Sequence, residues 1–219
     1  MSLAASLKDP FSALSHLAGA LLSALGLALL VTWAALYASA WHVVSFSVYG
    51  TAMVLLYTSS GLYHGLRLSQ EGTRRMRRLD HIMIYLLIAG TYTPVCLVPL
   101  RGPWGFSLLA AVWTLALAGV FFKLWWLEAP RWLSTGLYLG MGWLALVAVY
   151  PLVKGLPWGG LAWLGAGGLC YSLGALVYAR KRPDPWPGRF GFHEIWHLMV
   201  LAGSFCHFWM MFAYVLYLG

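Results

Sequence analysis

The sequence predicts an all-α fold: a seven-transmembrane helix bundle, polytopic, with its N-terminus in the cytoplasm and its C-terminus outside. Three observations carry this. Apolar residues make up 61% of the chain against 9% charged, and the mean hydropathy is +0.75, so there is too little polar surface to clothe a soluble globule. The apolar residues fall into seven runs, each close to the ~20 residues that cross about 30 Å of hydrocarbon. The basic residues crowd onto alternate connections between those runs.

The first run spans approximately 13–37 and follows Lys8. The "ASA" at 38–40 resembles a signal-peptidase site, but the run before it exceeds the roughly 7 to 15 residues of a signal peptide's apolar region and one lysine alone precedes it, so it is read as a retained span. The second run, 41–66, ends in "SSGLYHG", with Ser60 one turn deeper than His64 on the same face. A basic connection, "RLSQEGTRRMRR", leads to the third run at 79–99, which opens on Asp80 and His81. The fourth, fifth and sixth runs, 104–126, 132–151 and 158–179, are joined by the Pro/Gly turns "RGPWG", "LEAPR" and "KGLPWGG". A second basic connection, "ARKRPDPWPGRFG", precedes the last run at 192–217. No repeat or low-complexity segment interrupts the series, and residues 1–219 read as one domain. "GLYHG" and "GLYLG" have the G-x-x-x-G spacing that lets helices approach closely.

Twelve of the fourteen Lys and Arg residues fall on the side shared with the N-terminus, leaving Arg101 and Lys154 on the other. The positive-inside rule makes the first side cytoplasmic. The net charge of +8 is thereby explained by topology, so nucleic acid is excluded as a partner and membrane lipids are expected, the basic rim attracting anionic headgroups. The protein is expected in the cell (inner) membrane. Cys96, Cys170 and Cys206 are isolated within apolar runs, which supports neither a disulfide framework nor a redox motif. Trp104, Trp125, Trp126 and Trp158 near span ends fit interfacial anchoring.

The chemistry concentrates at one leaflet. His193, Glu194 and His197 form H-E-x-x-H, which on a helix puts two imidazoles one turn apart on one face. His64 ends the second span at the same depth. Imidazoles inside a membrane are costly enough to mark function, and neutral imidazoles suit zinc, with three protein ligands leaving a fourth position for water. His64, His193 and His197 are therefore the candidate metal ligands, with Zn2+ the expected cofactor. His16, His42 and His81, taken singly, read as interfacial residues. Ser204 and His207 continue the face of His197 deeper into the bilayer, as a wet lining or as interhelical hydrogen bonds.

The motifs "SSGLYH", "LDHIMIYLLIAGTYTP" and "FHEIWHLMVLAGSFCH", in that order and with "DPFSALSHLAGALLSALG" at the start, closely resemble the hemolysin III family. That family is the bacterial branch of the progestin and adiponectin receptor group, itself grouped with alkaline ceramidases as membrane hydrolases. The resemblance covers essentially the whole chain. It implies seven helices with a cytoplasmic N-terminus, zinc on His64, His193 and His197, Asp80 near the metal-bound water and Ser60 beside it. Asp80 and Ser60 are accordingly the candidate catalytic residues, and no role carries over to His81 or His207.

A protease is disfavoured: there is no strand-like segment to hold a peptide, and the H-E-x-x-H lies in the last span with nothing after it to complete a site. Glu194, about 100° round the helix from His193, is expected at the helix start, where its charge meets the N-terminal dipole. A retinal protein is excluded because no lysine lies in the last span. Two readings stay open. One is a zinc-dependent hydrolase of a lipid amide or ester, with a lipid or fatty-acid-like ligand inside the bundle. The other is a structural zinc in a cytolytic, receptor-like or membrane-homeostasis protein without turnover.

Overall fold

A computed structural model describes residues 7–219; the first six residues of the expected domain lie outside them. The described residues hold no named strand, and seven spans are long and apolar enough to cross a membrane. The first four are the helices α1 (Pro10–Tyr37), α2 (Ala40–Gly65), α3 (Gln70–Leu97) and α4 (Pro103–Trp125). The fifth is divided into α5 (Arg131–Gly142), a 3-10 turn (Trp143–Ala148) and α6 (Val149–Gly155). The sixth and seventh are α7 (Trp158–Arg180) and α8 (Phe192–Ala213), the latter followed by a 3-10 turn at Val215–Tyr217. Leu21, Leu22, Leu25, Leu117, Phe121 and Leu169 are exposed on the outer faces, a surface suited to lipid rather than water.

Two boundaries differ from the sequence expectation. α3 starts at Gln70, inside what reads as a basic connection. Ser69 caps it, its hydroxyl accepting the Gly72 N–H at 3.2 Å, and Glu71 pairs with Arg75 four residues on. A hydropathy criterion sees only the stretch that crosses hydrocarbon and misses these polar first turns. The fifth span is broken, and Tyr92 explains how the break is tolerated. Pro151 removes a backbone donor, while the Tyr92 hydroxyl donates to the Gly142 carbonyl at 2.6 Å and accepts the Ala145 N–H at 2.8 Å. The Gly142 carbonyl and the Ala145 N–H at the break are thus satisfied away from water.

Consecutive helices pack side by side: α1 on α2, α2 on α3, α3 on α4 and α7 on α8, with α1 closing against α8. The first G-x-x-x-G lies at a close approach, since a Cβ on Gly61 would sit 2.7 Å from the Leu17 side chain. The second does not: Gly136 and Gly140 meet nothing within 4 Å among the described residues. This packing brings the end of α2, the early turns of α3 and the starts of α1, α5 and α8 to the same end of the bundle.

Candidate metal centre and cavity

The site starts from how the chain enters α1. Pro10 occupies the first helical turn, where its missing N–H costs nothing, and Asp9 stands at the capping position. Its carboxylate makes no cap hydrogen bond to its own helix. Instead the backbone of Lys8 and Asp9 docks on the end of α2, donating to the Gly65 carbonyl at 3.2 Å and the His64 carbonyl at 2.8 Å. The freed carboxylate then accepts from His64 Nδ1 at 2.9 Å. An ionised carboxylate only accepts, so the proton is on Nδ1 and His64 Nε2 is left with its lone pair bare.

Three imidazoles meet there. His64 Nε2 lies 3.3 Å from His193 Nε2, which lies 3.1 Å from His197 Nε2, and the ligating atoms all fall within 4.8 Å of one another. With neutral rings and a bare His64 Nε2, only one of the two short contacts can be a linear N–H···N bond. The other would set two lone pairs, or two N–H groups, against each other. A cation receiving three lone pairs satisfies every nitrogen at once, and the two separations match the ~3.3 Å edge of a tetrahedron built on bonds of 2.0–2.1 Å. His64, His193 and His197 are therefore a group that could hold a metal ion, as the sequence motif leads one to expect. The carboxylate behind His64 is the kind of outer partner that fixes ring orientation at such sites.

His16 is not interfacial. It is buried at 4% exposure, and its ring stacks on His197 with centroids 3.8 Å apart and planes 28° from parallel. It thus presents its face, not a nitrogen, to the ring it covers. Burial follows from the contact of α1 with α8, which a helix-end position in the sequence does not reveal. His42, also buried, donates from Nε2 to the Val215 carbonyl and takes Ser39 on its other nitrogen, so it ties α2 to the C-terminal turn. His207 donates to the Leu164 carbonyl at 3.2 Å, holding α8 to α7. Ser204 shares its hydroxyl with Tyr57 at 2.6 Å and Tyr171 at 2.9 Å; of its two readings, interhelical hydrogen bonding is the one observed. Glu194 accepts the Gly191 N–H at 2.8 Å and the Ser12 hydroxyl at 3.3 Å, capping α8 as expected.

A cavity of about 540 Å³ runs from this cluster into the bundle. His16, Ser60, Asp80, His81, His193 and His197 line it, while His64 does not. Ser60 is a hydrogen-bonding neighbour of the half-buried Asp80. Further in, the walls are apolar, with Leu87, Ile88, Val95, Leu108, Val149 and Leu152 among them. The arrangement joins a cluster that could hold a cation, a carboxylate–hydroxyl pair and an apolar channel in one volume, the mix of oily walls and a few convergent polar groups that small-molecule sites share. The cluster and the Ser60–Asp80 pair are legible as motifs; Asp9, His16 and Lys123, a cavity-lining residue, are not, because each acts through a neighbour distant in sequence.

The family profile described as Haemolysin-III related matches residues 5–208. The chain is 44% identical over 204 residues to the Hemolysin-3 homolog of Bacillus subtilis (strain 168), covering 93% of this chain and 92% of that one. It is 43% identical over 206 residues to Hemolysin-3 of Bacillus cereus, covering 94% and 90%. It is also 31% identical over 162 residues to the Adiponectin receptor protein of Drosophila melanogaster, covering 64% of this chain and 35% of that protein.

Proposed function

The chain belongs to the haemolysin III family of multi-pass membrane proteins, and from that premise we propose that it is a zinc-dependent hydrolase of a lipid amide or ester, working at the cytoplasmic leaflet. The observation that carries the reading is the convergence of three imidazole Nε2 atoms beside a cavity that His193, His197, Asp80 and Ser60 all line. His64, His193 and His197 are the zinc ligands in this reading. Zinc held there supplies Lewis acidity and a nucleophile drawn from water near neutral pH. The remaining work falls to the chain. Asp80 accepts the proton released as water attacks, Ser60 donates a hydrogen bond to oxygen charge developing on the scissile carbonyl, and the apolar walls hold the acyl chain and exclude bulk water. The grouping of twelve basic residues on the N-terminal side supports a cytoplasmic N-terminus.

The test uses purified protein, elemental analysis and a broad lipid panel. His193→Ala loses zinc; Asp80→Asn keeps zinc and no longer releases fatty acid. Wild-type protein that holds zinc yet releases no fatty acid from any lipid overturns the hydrolase reading. A second reading, lysis, draws on the name of the Bacillus cereus relative. It requires dye release from liposomes at low protein density, with or without turnover.

A further inference from the structure

Lys123 lies in the last turn of α4 and is 1% exposed. Its ammonium donates to the Ser134 hydroxyl at 2.6 Å, and no ion pair with a carboxylate is found for it among the described residues. Glu128, nearby in sequence, is taken by Arg77, whose guanidinium reaches both of its oxygens at 3.1 and 2.9 Å. A serine hydroxyl carries no counter-charge, and a buried ammonium without one is costly. Lys123 nevertheless lines the cavity, as does Arg131. Arg131 lies three residues before Ser134 on the same face of α5. It stacks over Tyr178 at 4.4 Å and Phe192 at 5.4 Å and, among the described residues, donates once, to the Tyr178 carbonyl. A guanidinium has five donors. Two cations and a hydroxyl therefore edge one cavity, neither cation paired with a carboxylate among the described residues: of the two acids in the same lining, Glu128 is held by Arg77 and Asp80 neighbours Ser60. Phe192 joins this corner to His193, the next residue.

We infer that Lys123, Arg131 and Ser134 form an anion subsite that holds the phosphate of a phosphate-bearing acyl amphiphile whose chain occupies the cavity. Two cations that have no carboxylate paired to them match a phosphate better than a singly charged carboxylate: the lysine acts as a compact point charge, and the arginine offers further N–H donors in a fixed plane. The inference deepens the hydrolase reading by giving its lipid a charged headgroup. It rests on that reading only for the word substrate, because binding is measured without turnover.

The experiment titrates the full chain in maltoside micelles with four probes: 1-oleoyl lysophosphatidic acid, oleate, monoolein and inorganic phosphate. Wild-type protein binds the lysophosphatidic acid at least about 30-fold more tightly than monoolein, the factor expected for one buried charge contact, and more tightly than oleate. Inorganic phosphate at millimolar concentration does not displace it. In Lys123→Met, which keeps the length of the side chain, the preference over monoolein disappears while zinc content is unchanged; Lys123→Arg restores part of it. No preference for the phosphate lipid in wild type, a stronger preference for oleate, displacement by inorganic phosphate, or a preference that survives in Lys123→Met each overturns the inference. The headgroup comparison in wild type decides the matter even if the methionine variant fails to fold. A protein that binds the phosphate lipid but hydrolyses nothing retains the subsite and loses only the hydrolase reading.

Discussion

Replacing Asp9 with asparagine tests how far the proposed metal site depends on a residue that is not one of its ligands. The Asp9 carboxylate accepts from His64 Nδ1 at 2.9 Å, which keeps the proton on that nitrogen and points a bare Nε2 at His193, 3.3 Å away. An asparagine side chain in its place is neutral and could equally turn its NH2 toward Nδ1, stabilising the tautomer that cannot bind a cation through Nε2. Loss of such an outer partner lowers metal affinity about 10- to 100-fold, or ~1.4 to 2.7 kcal/mol. The lower end is expected here, because the Asp9 side chain is 44% exposed and shares its charge with Lys8 at 3.4 Å, so solvent screens part of its effect. Competition against a calibrated zinc chelator should give about a tenfold weaker affinity for Asp9→Asn and no stoichiometric zinc for His64→Ala. Nitrogen NMR of labelled histidine should show His64 shifting toward the Nε2–H tautomer in metal-free Asp9→Asn, which a purely structural lesion would not produce. Wild-type zinc affinity in Asp9→Asn, beside a metal-free His64→Ala, would refute the reasoning.

Three further outcomes follow from single contacts. Glu194→Gln retains an oxygen to accept the Gly191 N–H, so zinc content and any hydrolysis should persist, whereas a loss of turnover with zinc kept would make Glu194 a base rather than a cap. Gly105→Ala should destabilise the protein by about 1–3 kcal/mol in thermal unfolding, because a Cβ there would meet the Cys96 and Leu100 carbonyl oxygens at the α3–α4 turn, where backbone cannot yield cheaply. Ser204→Ala removes the hydroxyl that Tyr171 uses, while Tyr57 keeps the Val200 carbonyl at 3.3 Å. The expected loss is about 0.6–1.7 kcal/mol with zinc unaffected; loss of zinc would tie this network to the cluster.

What could be read in advance divides along a physical line. Span number and the His193/His197 pair are short-range properties, fixed by hydropathy over about 20 residues and by one turn of helix. Ser69 as a cap and the polar start of α3 are also local, but hydropathy is blind to them because those turns need not cross hydrocarbon. Asp9, His16 and Lys123 belong to a third kind. Asp9 reaches His64 only because the chain before α1 docks on the end of α2, and His16 covers His197 only because α1 closes against α8. Lys123 reads in the sequence as one more basic residue of the inner rim. Its burial depends on Ser134 and on the cavity wall, both supplied by other helices.

If the three histidines hold a zinc ion, a structural and a catalytic role differ in what they require of its surroundings. A structural zinc is usually closed by four protein ligands, while a catalytic one keeps a position open. Here one flank of the cluster is covered: Asp9 backs His64, which is not among the residues lining the cavity, and His16 covers a face of His197. The other flank is not. His193 and His197 line the same cavity as Asp80 and Ser60, and among the described residues only three side chains form the group that could hold a cation. A fourth position would therefore open toward the carboxylate, the hydroxyl and the apolar channel together. That asymmetry favours chemistry over mere cross-linking of α2 to α8, and it makes Asp80→Asn the sharper discriminator. If zinc only ties helices, there is no turnover for the substitution to remove and the metal stays; if zinc works on a lipid, the substitution abolishes turnover while the metal stays.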